Sequence, residues 1–364
     1  MNMKKSAIAV AVTGAIAAPM SASAAEAYGS INTTIENSSV NDAGGAGVIY
    51  NTTSDDAGFG MSDTWESRFG FTGGEDLGGG LEANYKFEFG LQTSGTGNGA
   101  VNEDSNINTR LSWAALSGGF GEVKLGTMWG VIYEYAGWNH YRTDGHGGAT
   151  HYYMTNGTAF STNDDPSGLR TDNTIKYTYG GGGYSSDPFT FSLQLRSKDE
   201  GSDPRTGATD EEAIDNITLG AQGTFGPVTV NGTYYQEQNS GDDPQEPSLL
   251  TLGARGNIGP VYIGGTFFSG DKDDDSDSDS PSALNVLAGM DFGGGTSGYL
   301  GLGTGDADND DSEDDLSTFF LQAEHQLSSR TKVYGEFESA TLDGGDNSDD
   351  SGTDVLAVGV KHSF

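Results

Sequence analysis

Between residues 108 and 130, apolar side chains recur at every second position on both sides of a glycine turn, and the alternate positions carry charge. Leu111, Trp113 and Ala115 alternate with Arg110, Ser112 and Ala114. The chain turns at Gly118–Gly121, and then Val123 and Leu125 alternate with Glu122, Lys124 and Gly126. Period two marks a strand pair with one apolar face. A sheet in water buries that face and solvates the other. A closed barrel in lipid inverts the arrangement, apolar outward and polar around a wet lumen.

The same unit of strand, short turn, strand and long polar loop recurs along the chain. Strands are expected at 26–36, 65–73, 81–89, the pair within 108–130, 173–179 and 189–196. The pattern continues with 217–225 and 228–235, joined by Gly226-Pro227, and with 249–258 and 261–268, joined by Gly259-Pro260. Four more follow at 283–291, 297–303, 316–327 and 331–339, and a last at 354–364. A central strand does not tolerate proline, which sits at the joins. The total is sixteen strands, with residues 129–170 as the longest connection. The 340 residues of 25–364 leave about 21 for each strand with its connection; a strand needs about 9–11 residues to cross a bilayer, and loops take the rest. Turns alternate short and long, as when one rim faces the periplasm and the other the outside. The fold class is therefore all-β, a transmembrane antiparallel barrel of about sixteen strands, one domain over residues 25–364.

Residues 1–24 read as a signal peptide. Lys4 and Lys5 precede the apolar run 7–18, and Ala22-Ser23-Ala24 is a small-residue cleavage site. The chain has no cysteine, 58 glycines, 9 prolines and a formal net charge of −36. Such a charge repels nucleic acid, which excludes DNA and RNA as partners. The acids lie in short runs between the strand segments, where high salt would screen their repulsion.

Residues 67–88, SRFGFTGGEDLGGGLEANYKFE, together with LSGGFGEVKLG at 116–126, the strand at 173–177 and the terminal Phe364, resemble the Gram-negative general diffusion porins. These pieces lie in both halves of the chain and in order. The resemblance implies a sixteen-stranded barrel, a homotrimer, and a third external loop folded into the pore, which here is 129–170. The chain departs from the family pattern at Thr127-Met128, where Arg-Gln is usual. It departs again at Thr143–Gly148 (TDGHGG), where only Asp144 offers an acid comparable to that of the family's loop tip.

Arg68, Lys86, Arg110, Lys124 and Lys176 fall on the polar face of strands two to six, one on each. In a barrel they form a basic wall on one side of the lumen, facing Glu134 and Asp144 of the long loop. Tyr133, Trp138 and Arg142 complete the constriction-loop set. Opposed charges across a narrow pore set a transverse field that biases ion passage. The alternative is that these are solvated charges of a soluble sheet. Asp306, Asp308 and Asp310 have the alternate spacing of a calcium loop, but no glycine stands at its sharp turn and no glutamate closes it. A solvated acidic face fits better, with divalent bridging to lipopolysaccharide as an intermediate case. His140, His146 and His151 share one loop, yet their spacing matches no compact zinc motif. Trp65, Phe71, Phe89, Trp113, Tyr179, Phe225 and Phe268 stand at strand ends, where interfacial aromatic girdles lie. Phe364, with Val360, Val358 and Leu356 at two-residue steps, resembles the closing-strand signal of outer-membrane barrels. No nucleophile elbow, phosphate loop or HExxH pattern occurs, so the chain does not read as an enzyme, and no cofactor is implied.

The sequence thus reads as an outer-membrane porin, exported by a cleaved signal peptide into the lipid and lipopolysaccharide of a Gram-negative outer membrane. It passes ions and small hydrophilic solutes, with mild cation preference from its acidic mouth. Two rivals stand beside it. One is a substrate-specific channel that binds through loop aromatics. The other is a soluble acidic secreted β-protein of a halophile.

Overall fold

The computed structural model describes residues 21–22, 25–41, 58–62, 67–91, 107–140, 146–155, 169–197, 214–238, 246–271, 280–306, 315–343 and 351–364. Sixteen strands form one antiparallel sheet closed into a barrel. They are β1 (Glu26–Asn41), β2 in two pieces (Gly58–Ser62 and Ser67–Gly78), β3 (Leu81–Leu91), β4 (Ile107–Gly118) and β5 (Gly121–Trp129). Then come β6 (Arg170–Tyr179), β7 (Phe189–Ser197), β8 (Ile214–Phe225), β9 (Val228–Glu237), β10 (Ser248–Ile258) and β11 (Val261–Asp271). The last five are β12 (Ser282–Gly293), β13 (Thr296–Asp306), β14 (Asp315–Gln326), β15 (Thr331–Asp343) and β16 (Ser351–Ser363). Both pieces of β2 pair with β1, through Ser62 opposite Thr34 and Arg68 opposite Ser30.

Each strand pairs with the next, and β16 pairs with β1 from Gly352 opposite Asn41 to Ser363 opposite Ser30. Closure leaves no open edge, which a lipid-exposed sheet cannot tolerate because lipid offers no hydrogen-bond partner. Phe364 completes the seam. Its backbone exchanges hydrogen bonds with Gly29 at 2.9 and 3.1 Å, and its ring covers Gly29 so closely that a Cβ there would collide with it.

The two faces are inverted relative to a water-soluble sheet. Ile31, Ile35, Phe71, Phe87, Leu116, Leu125, Leu252, Leu302, Leu321 and Val358 point outward and are exposed. On β1 the alternate residues Asn32, Thr34, Glu36 and Ser38 are buried inside. An apolar belt around the whole barrel is what hydrocarbon requires and what water penalises, which argues against the soluble halophilic module. No described helix is long and apolar enough to cross a membrane.

Several strands run past the expected limits. β1 continues to Asn41 rather than Glu36, and β15 to Asp343 rather than Ser339. Apolar alternation marks only the stretch that faces lipid, whereas the backbone ladder continues beyond it through polar residues.

One part of the alternation is corrected. β4 carries a bulge: Glu88 faces Leu111 and Phe89 faces Thr109, so Arg110 is the extra residue. The bulge flips the strand beyond it. Leu111, Trp113 and Ala115 therefore face the lumen with Glu88, Lys86 and Asn84, while Ser112, Ala114 and Leu116 face outward. Trp113 is no girdle residue, since the Lys124 ammonium lies 4.3 Å from its ring. Phe268 also leaves the girdle set. It points inward and is fully buried under the long loop, while Phe267 takes the exposed position. Trp65 lies outside the described residues.

Candidate constriction and its charged walls

After β5 the chain enters the lumen. Two short helices, α1 (Val131–Tyr135) and α2 (Ala149–Thr155), and a 3₁₀ turn at Gly137–Asn139 lie against the inner wall. This is an unusual place for apolar side chains, and the wall is built to receive them. Ile132, Tyr153 and Met154 of the loop pack in one cluster with Tyr235, Leu249, Phe268, Ala283 and Leu316, inward residues of β9 to β12 and β14. The loop therefore covers that side of the barrel, and β2 to β6 with their basic side chains line the other.

All five expected bases face the lumen, and each has an acidic partner. Glu88 is the hub of the first three. It accepts from Arg110 Nε at 2.9 Å and from the Tyr28 hydroxyl at 2.9 Å, with Arg68 at 3.9 Å and Lys86 at 3.8 Å. Lys124 pairs with Glu122 at 2.9 Å. Lys176 is almost fully buried and donates to Glu134 at 2.7 Å and to the Trp129 carbonyl at 2.9 Å. Glu134 thus meets Lys176. Three cations thus lie within 4 Å of one carboxylate, Glu88. Alternation along the strand places Glu88 inward but does not reveal that Arg68, Lys86 and Arg110 converge on it.

A second charged cluster anchors the loop tip. Glu336 and Glu338, two residues apart on β15, share its inward face. Glu336 accepts from the His146 backbone at 3.2 Å, from His146 Nδ1 at 2.9 Å and from Gln322 at 2.8 Å. Glu338 accepts from the backbone amides of Gly147 at 2.8 Å and Ala149 at 3.4 Å. The second of these satisfies a first-turn amide of α2, which has no partner within its own helix. Asp144 and Arg142 lie outside the described residues, so the acid seen at the tip belongs to the wall.

The histidines separate into two environments. Burial alone would lower the His146 pKa; the bond to Glu336 and the charges of Glu336, Glu338 and Glu36 outweigh it and raise the pKa to about 9. His140 is held well below its ordinary value by burial and by His151, whose ring centre lies 5.6 Å away. The three histidines do not converge, and among the described residues no group of three His, Cys, Asp or Glu side chains is placed to hold a metal. Asp306 ends β13 in an exposed position, and Asp308 and Asp310 lie outside the described residues.

These two histidines predict opposite pH limbs for loop docking. His146 is raised from 6.5 to about 9, so its contribution is complete below about 6.5 and is lost as pH climbs through 9. His140 is lowered from 6.5, so docking weakens as pH falls below that value. Protease resistance of the loop should peak near neutral pH. His146→Gln should remove the alkaline limb relative to the native chain; an unchanged alkaline profile would reject this role for His146.

Tyr133 is buried against Trp129, ring centres 4.9 Å apart, and Trp138 meets the Tyr184 ring edge-on at 5.1 Å. Sequence reasoning passed over Tyr184 and Arg255. Arg255 of β10 donates to Asn139 Oδ1 at 3.0 Å, which ties the 3₁₀ turn to the wall. A lone arginine in an otherwise ordinary strand gives no signal of a partner more than a hundred residues away.

A family model for Gram-negative porins matches residues 7–345. The chain is 38% identical over 132 residues to the major outer membrane protein P.IB of Neisseria meningitidis serogroup A, 36% of this chain and 35% of that protein. The match thus spans about a third of that relative's length. Among solved structures, an anion-selective porin from Comamonas acidovorans superposes with a TM-score of 0.71 and 21% identity, over 95% of this chain and 100% of that one. OmpT of Vibrio cholerae, in a trimer form, superposes with a TM-score of 0.64 and 15% identity, over 94% and 99%. At these identities the structural matches speak for the fold.

Proposed function

Since the chain belongs to the Gram-negative porin family, whose model spans residues 7–345, we propose that it forms a water-filled outer-membrane channel for passive diffusion of ions and small hydrophilic solutes. It acts as a conduit rather than an enzyme. The observation that carries this reading is the lumen itself: a closed barrel, apolar outside and charged inside, narrowed by a loop folded against one wall. Arg68, Lys86 and Arg110 face that loop across the remaining space. Glu36, Glu336 and Glu338 give another sector of the wall the opposite sign. A solute that crosses this zone meets a transverse field, and its size and charge decide its rate.

In the same reading residues 1–24 are a cleaved signal peptide, Phe364 is the closing-strand signal for assembly, and the mature chain is a homotrimer. A trimeric form of OmpT supports that last element. The acidic outer loops face lipopolysaccharide, with divalent cations between them.

Mild cation preference follows from those acidic loops, which enrich cations at the mouth. The opposite preference has its own support, in the three cations around Glu88 and in the relative described as anion-selective. Salt separates the two. The mouth effect is long-range and fades as the screening length falls from about 10 Å at 0.1 M to about 3 Å at 1 M, whereas the wall effect is short-range and persists.

The experiment is liposome swelling in sugars of increasing mass. A rate that falls smoothly with size is expected. A saturable rate for one solute would favour the substrate-specific channel, and no swelling with folded, inserted protein would reject the porin reading.

A further inference from the structure

The inner-rim joins between strands are tight. Gly79-Gly80, Gly119-Phe120, Gly226-Pro227, Gly259-Pro260 and Gly294-Gly295 each connect two strands with two residues, and 327–330 uses four. The join of β6 to β7 is longer, residues 180–188, and holds a 3₁₀ turn at Gly182–Tyr184. It folds into the barrel. Gly183 packs so closely on α1 that a Cβ would collide with the Glu134 carbonyl. Arg255 Nη2 donates to the Gly183 carbonyl at 2.7 Å and to Gln222 Oε1 at 2.6 Å, while its Nη1 holds Asn139. Gln222 Nε2 donates to the Ser185 carbonyl at 2.8 Å, and Asp187 accepts from the Gly181 amide at 3.0 Å. One guanidinium thus bolts the inner turn and the outer loop to each other.

The turn's one large side chain is Tyr184. Its ring lies edge-on to Trp138 at 5.1 Å and to Tyr133 at 6.4 Å, both on the inward loop. Its partners lie inside the barrel, yet 41% of its surface remains exposed. Beside the turn lies a cavity of about 630 Å³ whose lining includes Gly180, Gly181 and Gly182 of the turn together with Lys124, Lys176 and Glu134.

From this we infer that the pore has a second narrow zone on its inner side, built by the β6–β7 turn, with Tyr184 as its size-determining residue. The inference rests on the porin reading and adds a filter contributed by the opposite rim. The inward loop and this turn, one hung from each rim and bolted together, set the solute limit jointly.

The test is single-channel conductance and liposome swelling for the native chain, Tyr184→Ala, Tyr184→Trp and Tyr184→Phe. Tyr184→Ala should raise conductance and shift the swelling cut-off to larger sugars, because it removes the largest side chain of the turn that enters the barrel. Tyr184→Trp should lower both, and Tyr184→Phe should match the native channel, since the ring and not the hydroxyl sets the width. Should Tyr184→Ala fail to fold, the Tyr184→Trp channel still decides. Native conductance and cut-off in both size variants would overturn the inference. Absence of conductance in the folded, inserted native chain would instead overturn the porin reading beneath it.

Discussion

Glu88→Gln should move the reversal potential in a salt gradient toward anions and lower the stability of the barrel. The carboxylate has four partners: Arg110, Arg68, Lys86 and the Tyr28 hydroxyl. An amide of the same shape keeps one acceptor oxygen but removes the negative charge that Arg68, Lys86 and Arg110 share. Breaking a buried pair by neutralising one member typically costs about 3–5 kcal/mol, because the remaining charge stays desolvated. Part of that cost is relieved here by water in the lumen, so the selectivity change is the larger readout. Its direction holds whatever the sign of the native preference. Mobile anions would take the place of the lost carboxylate, and cations would meet an uncompensated patch. A variant that folds with the native reversal potential would show that the Glu88 cluster lies outside the path of the ions.

Glu336→Ala should detach the tip of the inward loop. Three donors lose their acceptor in one substitution: the His146 backbone, its imidazole and the Gln322 amide. The imidazolium is then left beside Glu338 and Glu36 without its hydrogen-bonded partner. The expected results are faster proteolysis within the loop, noisier open-channel current and loss of the alkaline pH limb. The barrel itself should survive, since the strand pairing of β15 with β14 and β16 depends on backbone bonds. Glu336→Gln retains an acceptor for the backbone amide and should fall between the two. Native proteolysis in the alanine variant would mean that the apolar cluster around Ile132, Tyr153 and Met154 holds the loop by itself.

The barrel was legible because its signals are local and repeated. Alternation, glycine joins and paired Gly-Pro turns fix strands one at a time, and an apolar face opposite a charged one fixes which side meets lipid. The inward direction of Lys86, Lys124 and Lys176 follows from the same rule. Arg110 also reaches the lumen, but for a different reason than parity with Ser112. A bulge sets Arg110 and Leu111 on the same side, and nothing in the local residue types marks it. The loop anchors were hidden by distance. Glu336 lies 190 residues from His146, and Phe268 reads as a girdle residue until the loop that covers it is placed. Tyr184 had a faint signal, a run of four glycines followed by five further residues where other inner joins need two to four. That excess length was legible; its inward course was not, because it depends on Arg255 and Gln222 from other strands.

The most direct test of the whole account is a planar-bilayer recording of the detergent-purified protein with a salt gradient across the membrane. The account predicts discrete stepwise openings that close in thirds at high voltage, with a conductance that rises with bulk salt. Protein shown to be folded and inserted, yet silent at every voltage, would contradict it, because a barrel with this charged, loop-narrowed lumen would then be closed to ions.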